Sequence, residues 1–308
     1  MVATPIGNLA DLTLRAIHIL GLVDAVACED TRITGQLLRH LGLDKPLLAL
    51  HQHNEHSAAV GVINRLAQGQ RVAYASDAGT PAVSDPGAVL VAAVAAAGHR
   101  VLPIPGASSA VAAVSAAGDV LAAGFAFVGF LPGKGQDRRS ALQAVAAAPG
   151  CQVLFEAPHR IASLLAGLAD AAPQRRVTLC RELTKQFESI TTQPAVDLPA
   201  WLAADDNRSR GEFVLVLHAL PVVLVAPGAD GLSAEAQRLL GPLLRELPLK
   251  QAVALAAELS GAPRNALYER ALVLRRAADA ADAADAADLA TPDEQPCPPA
   301  GPAPKPTI

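Results

Sequence analysis

Along the first 220 residues, short apolar runs alternate with longer stretches of helical period. Up to residue 112 the predicted strands are Val2–Thr4, Ala25–Glu29, Leu47–Leu50, Arg71–Ser76 and Val101–Ile104, each bounded by Gly, Pro or polar residues. Helical patterns cover Leu12–Leu20, Thr31–Leu41, His56–Ala67, Pro86–Ala97 and Ala107–Ala116. This βαβα order with short connections predicts a mostly parallel sheet covered on both faces. Sheets of that kind bind ligands beyond the carboxyl ends of their strands.

A second α/β pattern follows, with strands at Phe125–Phe130, Gln152–Glu156, Val177–Arg181, Glu188–Thr192 and Glu212–His218. Helices are predicted over Arg138–Ala148, Arg160–Ala171 and Ala195–Ala204. The polar, short elements here predict a mixed sheet. Pro221–Asp230 reads as a linker, and Ser233–Arg276 as all helical, with Gly261 and Pro263 separating two periodic runs. The second of these runs is marked by Ala266, Leu267 and Leu272. The fold class is therefore α/β, two-domain, with a small C-terminal helical domain. Its expected parts are 1–112, 113–220 and 231–276, followed by 277–308 as a disordered acidic, proline-rich tail.

Composition narrows the class. The chain has 308 residues, 51% hydrophobic and 3% aromatic, so its core relies on small aliphatic side chains. No apolar run approaches the roughly 20 residues of a membrane span, and the first residues lack the layout of a signal peptide. Four dispersed cysteines, Cys28, Cys151, Cys180 and Cys297, form no CxxC, so no disulfide framework is expected and the cytoplasm is the expected compartment. The formal charge is -4, but the stretch from Ala277 holds six acids and one base, which leaves +1 on residues 1–276. Nucleic-acid binding is neither announced nor excluded by that balance.

Candidate chemistry sits on four strand-end loops. ATPIGNL, Ala3–Leu9, brings Gly7 to the start of a helix. CEDTR, Cys28–Arg32, places Glu29, Asp30 and Arg32 at a strand end. SDAGTPAVSDPG, Ser76–Gly87, follows an apolar strand; Asp77 and Gly79 at its exit are assigned to a site, and Asp85 before Pro86 to capping the next helix. PIPGASSA, Pro103–Ala110, offers Ser108 and Ser109 at a helix start. Each alone is as well explained by turns and caps. HQHNEH (His51, His53, Glu55, His56) has metal-like residues but no second ligand cluster to close a tetrahedral set, so no metal is assigned. GFLPGKG is not a phosphate-binding P-loop, because three residues rather than four separate Gly129 from Gly133. Lys134, Arg138 and Arg139 remain a phosphate-contacting patch.

Taken in order, ATPIGNLADLTLRA, CEDTR, LHQHNE, SDAGTPAVSDPG, PGASSA, GFLPGK, FEAPHR, RELTK and RGEFVLVL resemble the 16S rRNA cytidine 2′-O-methyltransferases of the tetrapyrrole methylase superfamily. The match spans about residues 1–220, and LPLKQAVALAAE with NALYERAL is similar to that family's helical domain. The resemblance implies S-adenosylmethionine (SAM) in a cleft between two α/β domains, the first on the donor and substrate side and the second closing over it. Donor contacts would fall on Pro5, Gly7, Asp77, Gly79, Thr80, Ser108, Ser109, Leu183, Gly211 and Glu212. It also implies a 16S rRNA substrate in the decoding region of the small ribosomal subunit, a homodimer and no membrane. Family members carry a few more residues ahead of VATPIGNL, so the first strand is expected to be short here.

A ribose hydroxyl needs a base to take its proton, and Glu182, Asp30 and Glu29 are the expected candidates. Arg32, Lys134, Arg138 and Lys185 are the expected RNA contacts. The other readings are a methylase of cyclic tetrapyrroles, a non-catalytic RNA-binding assembly factor, and a metal hydrolase built on HQHNEH.

Overall fold

Alternation in the sequence becomes two sheets. A computed structural model describes residues 1–51, 54–221, 232 and 234–288. In the first sheet, α1 (Leu14–Leu22) leads into β1 (Ala25–Cys28), followed by α2 (Thr31–His40), β2 (Leu47–Ala49), α3 (Glu55–Ala67) and β3 (Val72–Ala75). The order is β2-β1-β3, all parallel. All four residues of β1, AVAC, are buried, as a central strand covered on both faces requires. α4 (Ala88–Ala96) and α5 (Ser109–Ala117) complete this half.

The expected strands Val2–Thr4 and Val101–Ile104 are reduced to isolated bridges. Val2 pairs singly with Ala75 and with Ile104. Proline is the physical reason: Pro5, Pro103 and Pro105 have no N–H to donate, so neither segment can extend a ladder. The edge is still hydrogen-bonded, through Val2 N to Tyr74 O (2.8 Å) and Ile104 N to Met1 O (2.8 Å).

The second sheet contains β4 (Phe125–Phe130), β5 (Cys151–Glu156), β6 (Arg176–Arg181), β7 (Ser189–Pro194) and β8 (Phe213–Leu217). Its order is β4-β5-β8-β6-β7, with only the β4–β5 pair parallel, so it is mixed as expected. α6 (Gly135–Ala147), α7 (Pro158–Ala171) and α8 (Leu198–Ala203) belong to this half. α7 buries Ile161, Leu164, Leu165 and Leu168 at helical spacing against Leu154, Leu179 and Leu215. Each such side chain contributes about 1.5–3 kcal/mol on burial. On the other face lie Ala110, Ala113 and Ala117 of α5, against Val153, Val214 and Val216. The boundary expected at 112/113 thus falls inside α5, a helix packed on the second sheet. Both sheets lie in one compact unit, Met1–Val222.

The second unit is helical. α9 (Ala234–Glu246), α10 (Leu249–Ser260) and α11 (Arg264–Asp288) enclose Leu240, Val253, Ala256, Leu267 and Ala271. Gly261 ends α10 in the left-handed region (φ 67°), as its punctuating position predicts. α11 runs on to Asp288, beyond the expected limit at 276, because the Ala-Ala-Asp repeat is rich in the strongest helix former. The linker expected over Pro221–Asp230, apart from Pro221, the tail from 289 onward, Cys297 and His53 lie outside the described residues.

Candidate active site

Three loops at the carboxyl ends of the first sheet are pinned to one another. Thr4 and Gly79 exchange backbone hydrogen bonds in both directions, 2.9 and 3.0 Å, and Thr4 Oγ1 donates to Ser76 O at 3.1 Å. Gly79 has φ 79°, and a Cβ there would stand 3.3 Å from Ile6 Cγ2, so glycine answers both backbone and space. Thr80 Oγ1 donates to Ala107 O at 3.0 Å, which joins SDAGTP to PGASSA. Ser108 caps α5, its side chain accepting from Val111 N.

Facing these loops are the ends of β4, β5 and β8 and the RELTK turn. Together they line a cleft of about 360 Å³, within the range of small-molecule sites. The first half contributes Ile6, Gly79, Thr80, Asp85, Ser108 and Ser109, and the second Phe130, Phe155, Glu156, Leu183, Glu212 and Phe213. Phe155 meets Phe127 and Phe130 edge-on, with centroids 5.0 and 5.6 Å apart, and Arg160 lies over Phe130. The result is an aromatic wall opposite a hydroxyl-bearing rim.

The RELTK turn is held by close backbone approach. Glu182 and Thr184 have positive φ, 52° and 68°. A Cβ on Gly211 (φ 94°) would lie 2.5 Å from Glu182 Cγ, and one on Gly7 would overlap Lys185 Cγ. The two glycines therefore meet the turn at different points, Gly211 at Glu182 and Gly7 at Thr184 and Lys185. Glu182 Oε1 accepts from Lys185 Nζ (2.9 Å) and from Glu212 N (2.8 Å).

Of the expected donor contacts, Gly79, Thr80, Ser108, Ser109, Leu183 and Glu212 line the cleft. Pro5, Gly7 and Asp77 do not; they line a neighbouring cavity of about 380 Å³ with Thr34, Gln36 and His40. The Thr4–Gly79 pairing separates the ATPIGNL backbone from the cleft, leaving Ile6 to face it. Gly211 supports the RELTK turn.

The expected bases are differently placed. Asp30 caps α2, accepting from Arg32 N at 2.8 Å, and pairs with the Arg32 guanidinium, which holds its carboxyl down at about 2. Glu182 is pushed up by burial, but the Glu212 N–H and the Lys185 ammonium outweigh that and leave it below the usual range. Glu29 is raised by burial and by the Asp77 charge, and is not among the residues lining the cleft. Among the expected RNA contacts, Arg32 is paired with Asp30, Arg138 with Glu156 (2.7 Å), and Lys185 with Glu182 and Glu212. Lys134 is exposed at the start of α6, with no partner among the described residues.

Asp85 is not the cap its position predicts. α4 begins at Ala88, and its first amides are taken by Glu55 of α3, whose Oε1 accepts from Gly87 N (2.7 Å) and Val89 N (3.1 Å). Asp85 instead faces the cleft, and burial, followed by the charges of Glu29 and Asp77, pushes it up to about 6. Sequence reasoning also missed Glu156, whose carboxylate is fully buried between Arg138 and Arg160. Its signal was an acid at the end of the apolar strand CQVLFE, placed like Asp77 after β3.

A glycine-rich cleft at strand ends, beside a mixed five-stranded sheet, defines the class: residues 1–199 match the family model described as Tetrapyrrole (Corrin/Porphyrin) Methylases. Residues 230–275 match the model described as RsmI C-terminal HTH domain. A protein of Pseudomonas aeruginosa named ribosomal RNA small subunit methyltransferase I is 47% identical over 274 residues, covering 88% of this chain and 95% of the relative. The protein of the same name from Escherichia coli O157:H7 is 46% identical over 273 residues, 88% and 93%. The chain belongs to the tetrapyrrole methylase family and, within it, to the group named ribosomal RNA small subunit methyltransferase I. Its fold is shared with solved structures at low identity. A Thermus thermophilus uroporphyrin-III-C-methyltransferase gives a TM-score of 0.51 at 22% identity, covering 70% of this chain and 92% of that one. A diphthine synthase gives 0.53 at 16%, covering 70% and 88%. The protein is a methyltransferase that draws its methyl group from S-adenosylmethionine.

Proposed function

We propose that this enzyme methylates the 2′-hydroxyl of a cytidine in the decoding region of 16S rRNA in the small ribosomal subunit. The observation that carries the reading is identity of 43–47% to relatives named for small-subunit rRNA methylation, over 87–88% of this chain. A cyclic tetrapyrrole substrate has weaker support, since the solved structures named for uroporphyrin-III and cobalt precorrin-4 methylation share the fold at 22% and 17% identity.

The cleft suits the donor. Phe130 and Phe155 offer aromatic surface to an adenine, Thr80, Ser108 and Ser109 offer hydroxyls, and Leu183 and Phe213 add apolar lining. The cations nearby, Arg138, Arg160 and Lys185, are each paired with a carboxylate, so none stands as an uncompensated charge against a sulfonium. S-adenosylmethionine supplies an electrophilic methyl group on a sulfonium. The protein's part is to orient the ribose hydroxyl, exclude water and remove its proton. Lys134 is available to an RNA phosphate, and single-stranded or loop RNA exposes its 2′-hydroxyl.

Two further readings belong to this proposal. The enzyme acts as a homodimer, which would cover exposed Val111, Val120, Leu121 and Phe125; light scattering of the purified chain reads this directly. It acts in the cytoplasm, where its RNA is made; no helix among the described residues is long and apolar enough to cross a membrane. The functional test is incubation with tritiated SAM and 30S subunits, followed by nuclease digestion and nucleoside mass spectrometry. Labelled 2′-O-methylcytidine is expected. Label on a base, or no label in RNA, would refute the reading.

A further inference from the structure

We propose that the carboxylate of Asp85 is the catalytic base, taking the proton of the hydroxyl that becomes methylated. The inference rests on the reading of the site as a ribose 2′-O-methyltransferase.

Among the described residues, three carboxylates line the cleft: Asp85, Glu156 and Glu212. Glu156 lies between Arg138 at 2.7 Å and Arg160 at 2.8 Å, and Glu212 takes Lys185 Nζ at 2.9 Å. Protonating either would break an ion pair. Asp85 has no cation partner among the described residues. The charged groups around it on its own side are Glu29 and Asp77 at the ends of β1 and β3, both negative, with Asp30 committed to Arg32. Facing it from the second sheet are Glu156, paired with Arg138 and Arg160, and Glu212, which shares Lys185 with Glu182. Tyr74 donates its hydroxyl to Pro86 O, and Glu55 is spent on the amides of α4. Asp85 is thus the carboxylate of the cleft with lone pairs free to accept a proton.

The backbone presents it there. Ala82 (φ 67°) and Ser84 (φ 63°) both stand in the left-handed region although neither is glycine, and Gly87 follows at φ 128°. Such strain gathers where a side chain must be held at a site. The second sheet accommodates the loop: a Cβ on Gly129 of β4 would meet Ser84 Oγ at 3.0 Å. Because Glu55 caps α4 from another helix, Asp85 is released from the role its place before Pro86 suggests.

The chemistry balances. As the ribose oxygen bonds to the methyl carbon, the carbon–sulfur bond breaks with its electron pair left on sulfur, and the hydroxyl proton passes to Asp85, then to water. A base raised towards the working pH by burial and by Glu29 and Asp77 retains driving force for that transfer and is still ionised at neutrality.

The test uses the full chain, 30S subunits and tritiated SAM under single-turnover, saturating conditions from pH 5 to 8. For the wild type the rate is expected to fall about tenfold per pH unit below about 6. Asp85→Asn is expected to lower the rate at least ~100-fold and to remove the inflection, while calorimetric SAM affinity stays within about threefold, inside the scatter of a neutral substitution. A wild-type profile flat down to pH 5 overturns the inference and needs no variant. So does an Asp85→Asn rate within tenfold of wild type, or a loss of SAM affinity as large as the loss of rate. In the donor-free protein, the carbon-13 carboxyl resonance absent from Asp85→Asn should titrate near 6; a midpoint below 4.5 overturns it too. Product analysis separates the two levels. Wild-type 2′-O-methylcytidine with an unaffected Asp85→Asn rate sinks this inference alone, and a base-methylated product sinks the reading beneath it.

Discussion

Arg138 tests whether its guanidinium serves RNA or the fold. Its Nη2 lies 2.7 Å from Glu156 Oε2, with side chains 15% and 0% exposed. At an effective dielectric near 20, two unit charges at that distance attract by roughly 6 kcal/mol. Desolvation offsets most of this, and Arg160 at 2.8 Å competes for the same carboxylate. A net coupling of about 2 kcal/mol remains, in the range of hydrogen bonds to charged groups. Arg138→Met and Glu156→Gln should each destabilise the protein by about 2–3 kcal/mol, and the double variant by well under their sum. Urea unfolding of the four proteins gives the cycle. The dependence of RNA affinity on salt gives the other half of the answer. Lys134→Ala should reduce the slope of log K against log salt by about 1, whereas Arg138→Met should leave it unchanged. Coupling below about 0.5 kcal/mol, together with a reduced slope for Arg138→Met, would refute the structural assignment and return Arg138 to the RNA.

Glu55→Ala removes the acceptor shared by Gly87 N and Val89 N and should cost about 2 kcal/mol; thermal melts should show a drop of several degrees, and an unchanged midpoint would contradict the cap. Gly211→Ala forces a Cβ to 2.5 Å from Glu182 Cγ at φ 94°, so calorimetry should find SAM affinity weakened at least tenfold, with Gly150→Ala, whose Cβ would meet only Gln152 Nε2 at 3.9 Å, as the control that is not. Stability should depend on pH with opposite signs at two acids. Asp30, lowered to about 2, contributes stability above its unfolded value of 3.8 that is lost as pH falls through 2, so Asp30→Asn should flatten the acid limb of a denaturation series. Asp85, raised to about 6, keeps its proton in the folded state while the unfolded chain releases it. The wild type should therefore lose stability as pH rises from about 4 to 6, and Asp85→Asn should gain relative to wild type at pH 7.5 but not at pH 4.

Much of this architecture can be read from local pattern. β4 runs Phe125–Phe130 as its alternation predicts, and most other elements agree within one to three residues. The loops that line the cleft announce themselves through glycine, proline and hydroxyl residues. What stays hidden depends on distant partners. Glu55 caps a helix that begins 33 residues later, and nothing near Asp85 tells that its capping role is taken. Arg138 looks like a free cation in GFLPGKGQDRR until β5 brings Glu156 beside it. Val2 and Ile104 read as strands because apolarity outweighs, in a local window, the prolines that end their ladders. The division expected at 112/113 follows the change from one strand–helix pattern to the next, whereas α5 follows alanine packing on the second sheet.

That packing bears on how the enzyme could admit a large polymer. α5 starts at Ser109 on the rim of the cleft and ends with Ala117 embedded beneath β5 and β8. A jaw hinged between the two sheets would have to drag this shared rod out of its alanine-lined seat, exposing apolar surface with every stroke. Opening of that kind is costly, so the aperture should keep its frame when the polymer enters.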